Sequence, residues 1–237
     1  MAGQSIRLRQ VALVAADLEG SVSSLCEVMS VEKCFRDPGV GQFGLDNALM
    51  AIGDTFLEVV SPFREGTTAG RYLQRRAGDG GYMAIFQMVD LAAARQRVDD
   101  AGLRTVWSHD SPTMSGTHLH PGDVPGAIVS LDHSEPEADW EWAGPGWRDH
   151  VRTEAVDLIC GLDVQTDRPD DLAAIWAQVL GVSRQGDEIS LNDDQVIRFV
   201  APDDGRPEGI RGFDVRATDR SLAGSEVETV GVRIRFV

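Results

Sequence analysis

Thr55-Phe56-Leu57-Glu58-Val59-Val60-Ser61-Pro62 carries the pattern from which the rest of the chain can be read. Its first seven residues make a short strand that Pro62 closes, because proline has no N–H for a ladder and restricts the residue before it. Alternation sends Phe56, Glu58 and Val60 to one face and Leu57 and Val59 to the other. Both faces are largely apolar, so the strand reads as buried on both sides, with Glu58 as the exception. A carboxylate in such a place is paired, bound to a metal, or neutral with a raised pKa; the plainer reading is a strand at a sheet edge with Glu58 in solvent.

Outward from this strand, the chain repeats itself. Towards the N-terminus lie Gly44 to Ile52, joined to it by a Gly53-Asp54 turn, then Lys33 to Arg36, a helix from Leu18 to Met29 capped by Asp17, and a strand from Leu8 to Ala15. The order is β-α-β-β-β. Beyond it, a glycine-rich, basic connection from Phe63 to Gly81 leads to a second copy: strand Tyr82 to Val89, cap Asp90, helix Leu91 to Ala101 stopped by Gly102, and strands Arg104 to Ser108, Thr117 to His120 and Ala127 to Leu131. Advancing 73 residues from Gln10 reaches Met83, and 72 from Glu58 reaches Ser130, a near-constant shift that marks an internal repeat.

His133 to Arg152 breaks the pattern with two prolines and Trp140, Trp142 and Trp147. It reads as a linker anchored by its aromatics, which either pack on a domain face or line a ligand pocket. The order then returns, with strand Ile159 to Gln165, a helix from Pro169 to Leu180 stopped by Gly181, and Gln195 to Pro202 matching Thr55 to Pro62. A fourth copy begins at Gly212 to Ala217 and leaves only some ten residues before the last strand, Gly231 to Val237, so its helix is very short or missing.

The chain has 237 residues and a formal net charge of −16, which repels phosphate backbones and anionic membranes and makes nucleic acid and membrane surfaces poor partners. The N-terminal residues lack a signal-peptide core and no window is long and apolar enough to span a bilayer, so a cytoplasmic location is expected. Cys26, Cys34 and Cys160 are widely spaced and indicate neither a disulfide framework nor a zinc site.

Gln10-Val11-Ala12-Leu13-Val14-Ala15-Ala16-Asp17-Leu18, Phe56 to Pro62, and His118-Leu119-His120-Pro121 followed by Gly126 to Leu131 together resemble the vicinal oxygen chelate superfamily of glyoxalases, epimerases, extradiol dioxygenases and bleomycin-resistance proteins. The resemblance is strongest to the methylmalonyl-CoA epimerase and glyoxalase-like branch. It implies an α+β fold of tandem βαβββ modules paired into two domains: residues 1–133, a linker at 134–152, and a degenerate second domain at 153–237 with a truncated last module. It also implies a cup holding a divalent metal through two residues from each module. Carried over, these positions are Gln10, Glu58, Met83 and Ser130 in the first domain and Gly161, Arg198, Gly212 and Arg235 in the second. A thioether and a neutral alcohol are poor ligands for a hard cation, so no cofactor is expected, unless His118 or His120 turns inward to restore a divalent metal site. Two arginines and two glycines cannot hold a cation, which leaves the second cup as a structural partner or an anion site.

The same face parity sets Leu8, Ala12, Phe56, Met83, Ile85 and Ile128 beside Gln10, Glu58, Gln87, Ser130 and Asp132, an apolar lining with convergent polar groups. Glu58 is the candidate acid or base, hydrogen-bonded by Gln10. Phe56, Tyr82, Met83, Ile85, Gln87, Ser130 and His120 are the candidate substrate contacts. The expected activity is metal-independent isomerase, epimerase or lyase chemistry on a small carbonyl or aromatic compound. The alternatives are a non-catalytic protein that sequesters a hydrophobic or aromatic ligand and a metalloenzyme with substituted ligands; for Glu58 itself the plainer reading is a relic held by Gln10 and Ser130. Arg71, Arg75 and Arg76 could clamp a phosphate or carboxylate or form a solvated basic face, and the reading allows a homodimer.

Overall fold

A computed structural model describes residues 6–237. The first module contributes β1 (Ile6–Val14), α1 (Leu18–Met29), β2 (Lys33–Phe35), β3 (Leu45–Ile52) and β4 (Thr55–Pro62). Its helix has the bounds expected from the sequence: Asp17 accepts a hydrogen bond from the Gly20 N–H, and Ser30 ends the helix in the left-handed region. The connection that follows contains an unexpected helix, α2 (Thr68–Arg76), capped by Thr67. Then come β5 (Gly80–Met88), α3 (Leu91–Asp100), β6 (Thr105–Asp110), β7 (Met114–Leu119) and β8 (Ile128–Ser134).

These strands form one eight-stranded sheet in the order β2-β3-β4-β1-β5-β8-β7-β6. The order reads as two equivalent halves joined where β1 meets β5 antiparallel, with β1 parallel to β4 and β5 parallel to β8. Gln10 stands opposite Phe56 as Met83 stands opposite Ile128, which is the register the repeat requires. After the linker, β9 (Val156–Gln165), α4 (Pro169–Leu180), β10 (Glu188–Ser190), β11 (Val196–Val200), β12 (Gly209–Ala217), β13 (Glu226–Thr229) and β14 (Val232–Phe236) make a six-stranded sheet in the order β10-β11-β9-β12-β14-β13. The third module carries two strands after its helix where three were expected, and the fourth has no helix.

Strict alternation fails at one repeated place. Leu8 pairs with Phe86 and Gln10 with Ile85, leaving Arg9 as an extra residue; Ala12 pairs with Met83 and Leu13 with Gly81, leaving Tyr82. The second sheet repeats the device at Cys160 and Arg211. Each is a β-bulge in the first strand of a module, directly before the position that the repeat aligns with Gln10. The bulge at Arg9 corrects the expected placement of Leu8. Leu8 packs with Val11, Leu13 and the helices in the main core, whereas Arg9 turns to the Glu58 face, fully buried, over the rings of Phe56 and Trp140.

The helix-bearing faces of both sheets share one apolar core, in which Trp176 of α4 meets Phe86 of β5 and Phe199 of β11 edge-on. Polar ties cross the same seam. Buried Gln195 accepts from the Leu8 N–H and donates to the Leu8 and Ile159 carbonyls, and Thr55 Oγ1 accepts from the Ile159 N–H. At Gly81 a Cβ would lie 2.3 Å from the Cβ of Ile210. Gly81→Ala is therefore expected to destabilise the chain by about 1–3 kcal/mol, since packed cores resist added volume. Because the core is shared, urea unfolding should remain one transition, shifted to lower denaturant; two separate transitions would contradict the shared core.

Candidate functional site

The face opposite the main core carries Glu58. Phe56 and Val60 share that face, and Leu57 and Val59 lie in the main core, as the alternation of the strand requires. Glu58 is buried, and each carboxylate oxygen takes one amide donor: Gln10 Nε2 donates to Oε2 at 2.8 Å and Asn47 Nδ2 donates to Oε1 at 2.6 Å. Neither amide can turn its oxygen toward Glu58 without loss. Gln10 Oε1 accepts from the indole N–H of Trp140 at 2.8 Å, and Asn47 Oδ1 accepts from the Asp37 backbone N–H at 2.8 Å. Burial pushes the Glu58 carboxyl above its ordinary range, and the Asn47 and Gln10 donors pull it back toward the ionised form.

Sequence reasoning found Gln10, gave Trp140 as packing on a domain face or lining a pocket, and missed Asn47 and Arg9. Asn47 shares parity with Leu45, Leu49 and Ala51 of β3, all on the Glu58 face, so an amide among apolar residues was the available signal. Trp140 comes from the linker. Its ring is stacked on Phe56 at 6.4 Å and 9°, and Trp147 meets Phe56 edge-on at 5.0 Å. The linker is held there by Arg9 and Arg148, which both donate to the Ala138 carbonyl, and by Gln87, which donates to the Glu137 carbonyl. The tryptophans thus fill the expected hollow.

Of the other expected contacts, Tyr82, Met83 and Ile85 join Phe56 in the apolar cluster of this face. Tyr82 packs edge-on against Tyr72 of α2, and burial pushes its hydroxyl up to about 12. Ser130 does not touch Glu58. Its hydroxyl bonds to Asp132 and to the Thr117 carbonyl, so Asn47 takes the role that the relic reading gave to Ser130. His120 is held in the turn after β7, where Nδ1 accepts from the Gly122 N–H beside Arg104, and it has no part in the polar group around Glu58. Arg76, a candidate anion clamp, is buried and donates to the Pro207 and Ile210 carbonyls, and Arg71 donates to the Gly66 carbonyl.

A second buried carboxyl lies on β8. Asp132 receives the Ser130 hydroxyl and, at 2.6 Å, the indole N–H of Trp142, and it leans over the bare backbone of Gly116. Burial pushes it up to about 7 against those donors. Next to it Trp107, His109, His118 and Trp142 form a ring cluster, in which burial pushes His118 down to about 4.

The positions that the family resemblance assigns to a metal do not fit one. Gln10 presents its amide nitrogen rather than its oxygen, Met83 offers a thioether, and the Ser130 hydroxyl is engaged by Asp132. His118 is packed against Trp107 at 4.3 Å, and among the described residues no three His, Cys, Asp or Glu side chains gather as a metal site. In the second sheet, Arg198 and Arg235 each pair with both Asp163 and Asp214, so their charges are already met and an anion finds no free guanidinium there.

No family model matches the chain. In sequence it is 26% identical over 133 residues to an ethylmalonyl-CoA/methylmalonyl-CoA epimerase of Cereibacter sphaeroides, an alignment spanning 53% of this chain and 96% of the epimerase. In structure, a hypothetical protein from Staphylococcus aureus superposes over 98% of both chains with a TM-score of 0.71 at 11% identity. A methylmalonyl-CoA epimerase from Mycobacterium tuberculosis covers 56% of this chain and 92% of its own, with a TM-score of 0.50 at 20% identity. These neighbours share the fold, paired modules around a β1–β5 seam, which is the architecture that the resemblance to the vicinal oxygen chelate superfamily implies. In sequence, the similarity is to methylmalonyl-CoA epimerase, over about half of this chain.

Asp132 supplies a test of the electrostatics. A carboxyl raised to about 7 in the fold keeps a proton that the unfolded chain has released, so its contribution to stability is complete at acid pH and is lost as the pH rises through about 7. Over that window stability should fall by at most about 1.4 kcal/mol per pH unit from this group. Asp132→Asn should flatten the fall, as read by urea unfolding between pH 5 and 8; an unchanged slope would rule out a raised Asp132.

Proposed function

We propose that the protein is a metal-independent acid/base isomerase or lyase of the epimerase type, acting on a small carbonyl compound at the Glu58 face. The observation that carries this reading is the Glu58 carboxylate, buried among Phe56, Tyr82, Met83 and Ile85 and held at both oxygens by amides that cannot flip. Such a group is a base of raised affinity for protons in a site that excludes water. A proton next to a carbonyl is what it would remove and return. Gln10 and Asn47 are its positioning residues. The epimerase homology supports this class of chemistry, and a malonyl-type thioester of the kind that the Cereibacter sphaeroides relative is named for is the first substrate to try.

Trp140 sets a condition on this chemistry. It lies over Phe56 and bonds to Gln10, so displacing the indole opens a way for a substrate toward Glu58. That same cover favours a second reading, a binding protein whose hydrophobic ligand enters under the linker and leaves unchanged.

The two readings separate in deuterium oxide. Incubation with methylmalonyl-CoA should wash deuterium into the α-carbon, as followed by mass spectrometry, and Glu58→Gln should slow this at least about 100-fold. Trp140→Ala should raise the wash-in rate at low substrate concentration by uncovering the carboxylate. Wash-in that survives Glu58→Gln would remove Glu58 from the chemistry. Thermal stabilisation by the thioester without any wash-in would favour binding alone.

A further inference from the structure

Between the linker and the edge of the first sheet lies a cavity of about 590 Å³. Glu58 does not line it, although Trp140 does. The volume falls within the range of small-molecule sites, about 300–1,000 Å³. Its walls are rings, from Phe35 of β2 and from Trp142 and Trp147 of the linker, with Pro136 and Pro145 between them.

The charge around these rings is one-sided. Asp37, Glu135, Asp139 and Glu141 all line the cavity, and Arg148 is the sole cation among the lining residues. Arg148 is bound to Asp139 at 2.6 Å and rests on the Trp147 ring. Asp37 caps the Gly39 N–H and Glu141 accepts from the Thr113 hydroxyl, contacts that bring no counter-charge to either. At the base lies Ser134, 1% exposed, with a buried hydroxyl that has no hydrogen-bond partner. A buried hydroxyl left in this state costs about 1–3 kcal/mol, which a polar group on a ligand would recover.

We propose that this cavity binds an organic cation with an aromatic or other apolar body. The rings cover the body and attract the cation through their faces, and the surplus carboxylates hold the charge at low cost because few counter-charges compete for them. The Ser134 hydroxyl meets a polar substituent at the base. An anion is disfavoured by the same carboxylates, and a neutral ligand would use the rings alone.

The probes are benzyltrimethylammonium, benzyl alcohol and phenylacetate, titrated into the full chain by calorimetry at low salt. Benzyltrimethylammonium should bind at least about tenfold more tightly than benzyl alcohol, and phenylacetate should bind no better than the alcohol. Asp37→Asn with Glu141→Gln keeps the cap and the Thr113 acceptor while removing two charges, and should bring the cation to within about twofold of the alcohol. Glu141→Gln alone, at an exposed position, should move affinity in the same direction should the double variant fold poorly. Equal affinity for cation and alcohol, or cation binding that ignores the lost charges, would overturn the proposal.

Discussion

Burying a carboxylate between two curtains of apolar side chains is costly, and the first sheet is arranged around meeting that cost. An isolated charge in such a place would lose several kcal/mol of hydration. Here each Glu58 oxygen receives one amide proton, and each amide is held by a further donor, the Trp140 indole on one side and the Asp37 backbone on the other. The chain of donors runs from β3 and the loop before it, through β4 and β1, into the linker. Any of these segments moving alone would leave an unpaired polar group behind, so the group ties distant parts of the sequence into one geometry.

The bulges make that geometry available. A regular strand would have put Leu8 on the Glu58 face and Arg9 into the shared core. The extra residue reverses this, and the guanidinium of Arg9 closes over Phe56 and Trp140 while reaching the Ala138 carbonyl. The same irregularity recurs before Met83, Gly161 and Gly212. In the second sheet it serves another end, because the corresponding face is closed by the Asp163, Arg198, Asp214 and Arg235 lattice rather than by a linker.

Much of this was legible in the chain itself. Caps and periodicity gave α1 its bounds, the repeat gave the pairing of modules, and alternation put Phe56 and Glu58 on one face. What could not be read depends on contacts between segments far apart in sequence. Asn47 meets Glu58 only because β3 pairs with β4 in one register. Trp140 meets Gln10 only because the linker folds back across 130 residues. The helix α2 was hidden by its glycine and its three arginines, and its helical face became apparent only when Tyr72 and Arg76 were found buried. His120, a candidate substrate contact, lies in a turn, where the Gly122 amide and Arg104 hold it.

All of these relations return to one carboxyl group, and its protonation can be observed directly. Infrared spectra of protein labelled with ¹³C at glutamate carboxyl groups, taken from pH 3 to 8 and subtracted from those of Glu58→Gln, isolate the Glu58 band. Ionisation with a midpoint above the ordinary glutamate value, in a band narrowed by its two fixed donors, is the expected outcome. A midpoint at or below that value, or a broad band typical of a solvated side chain, would mean that Glu58 is not held as described.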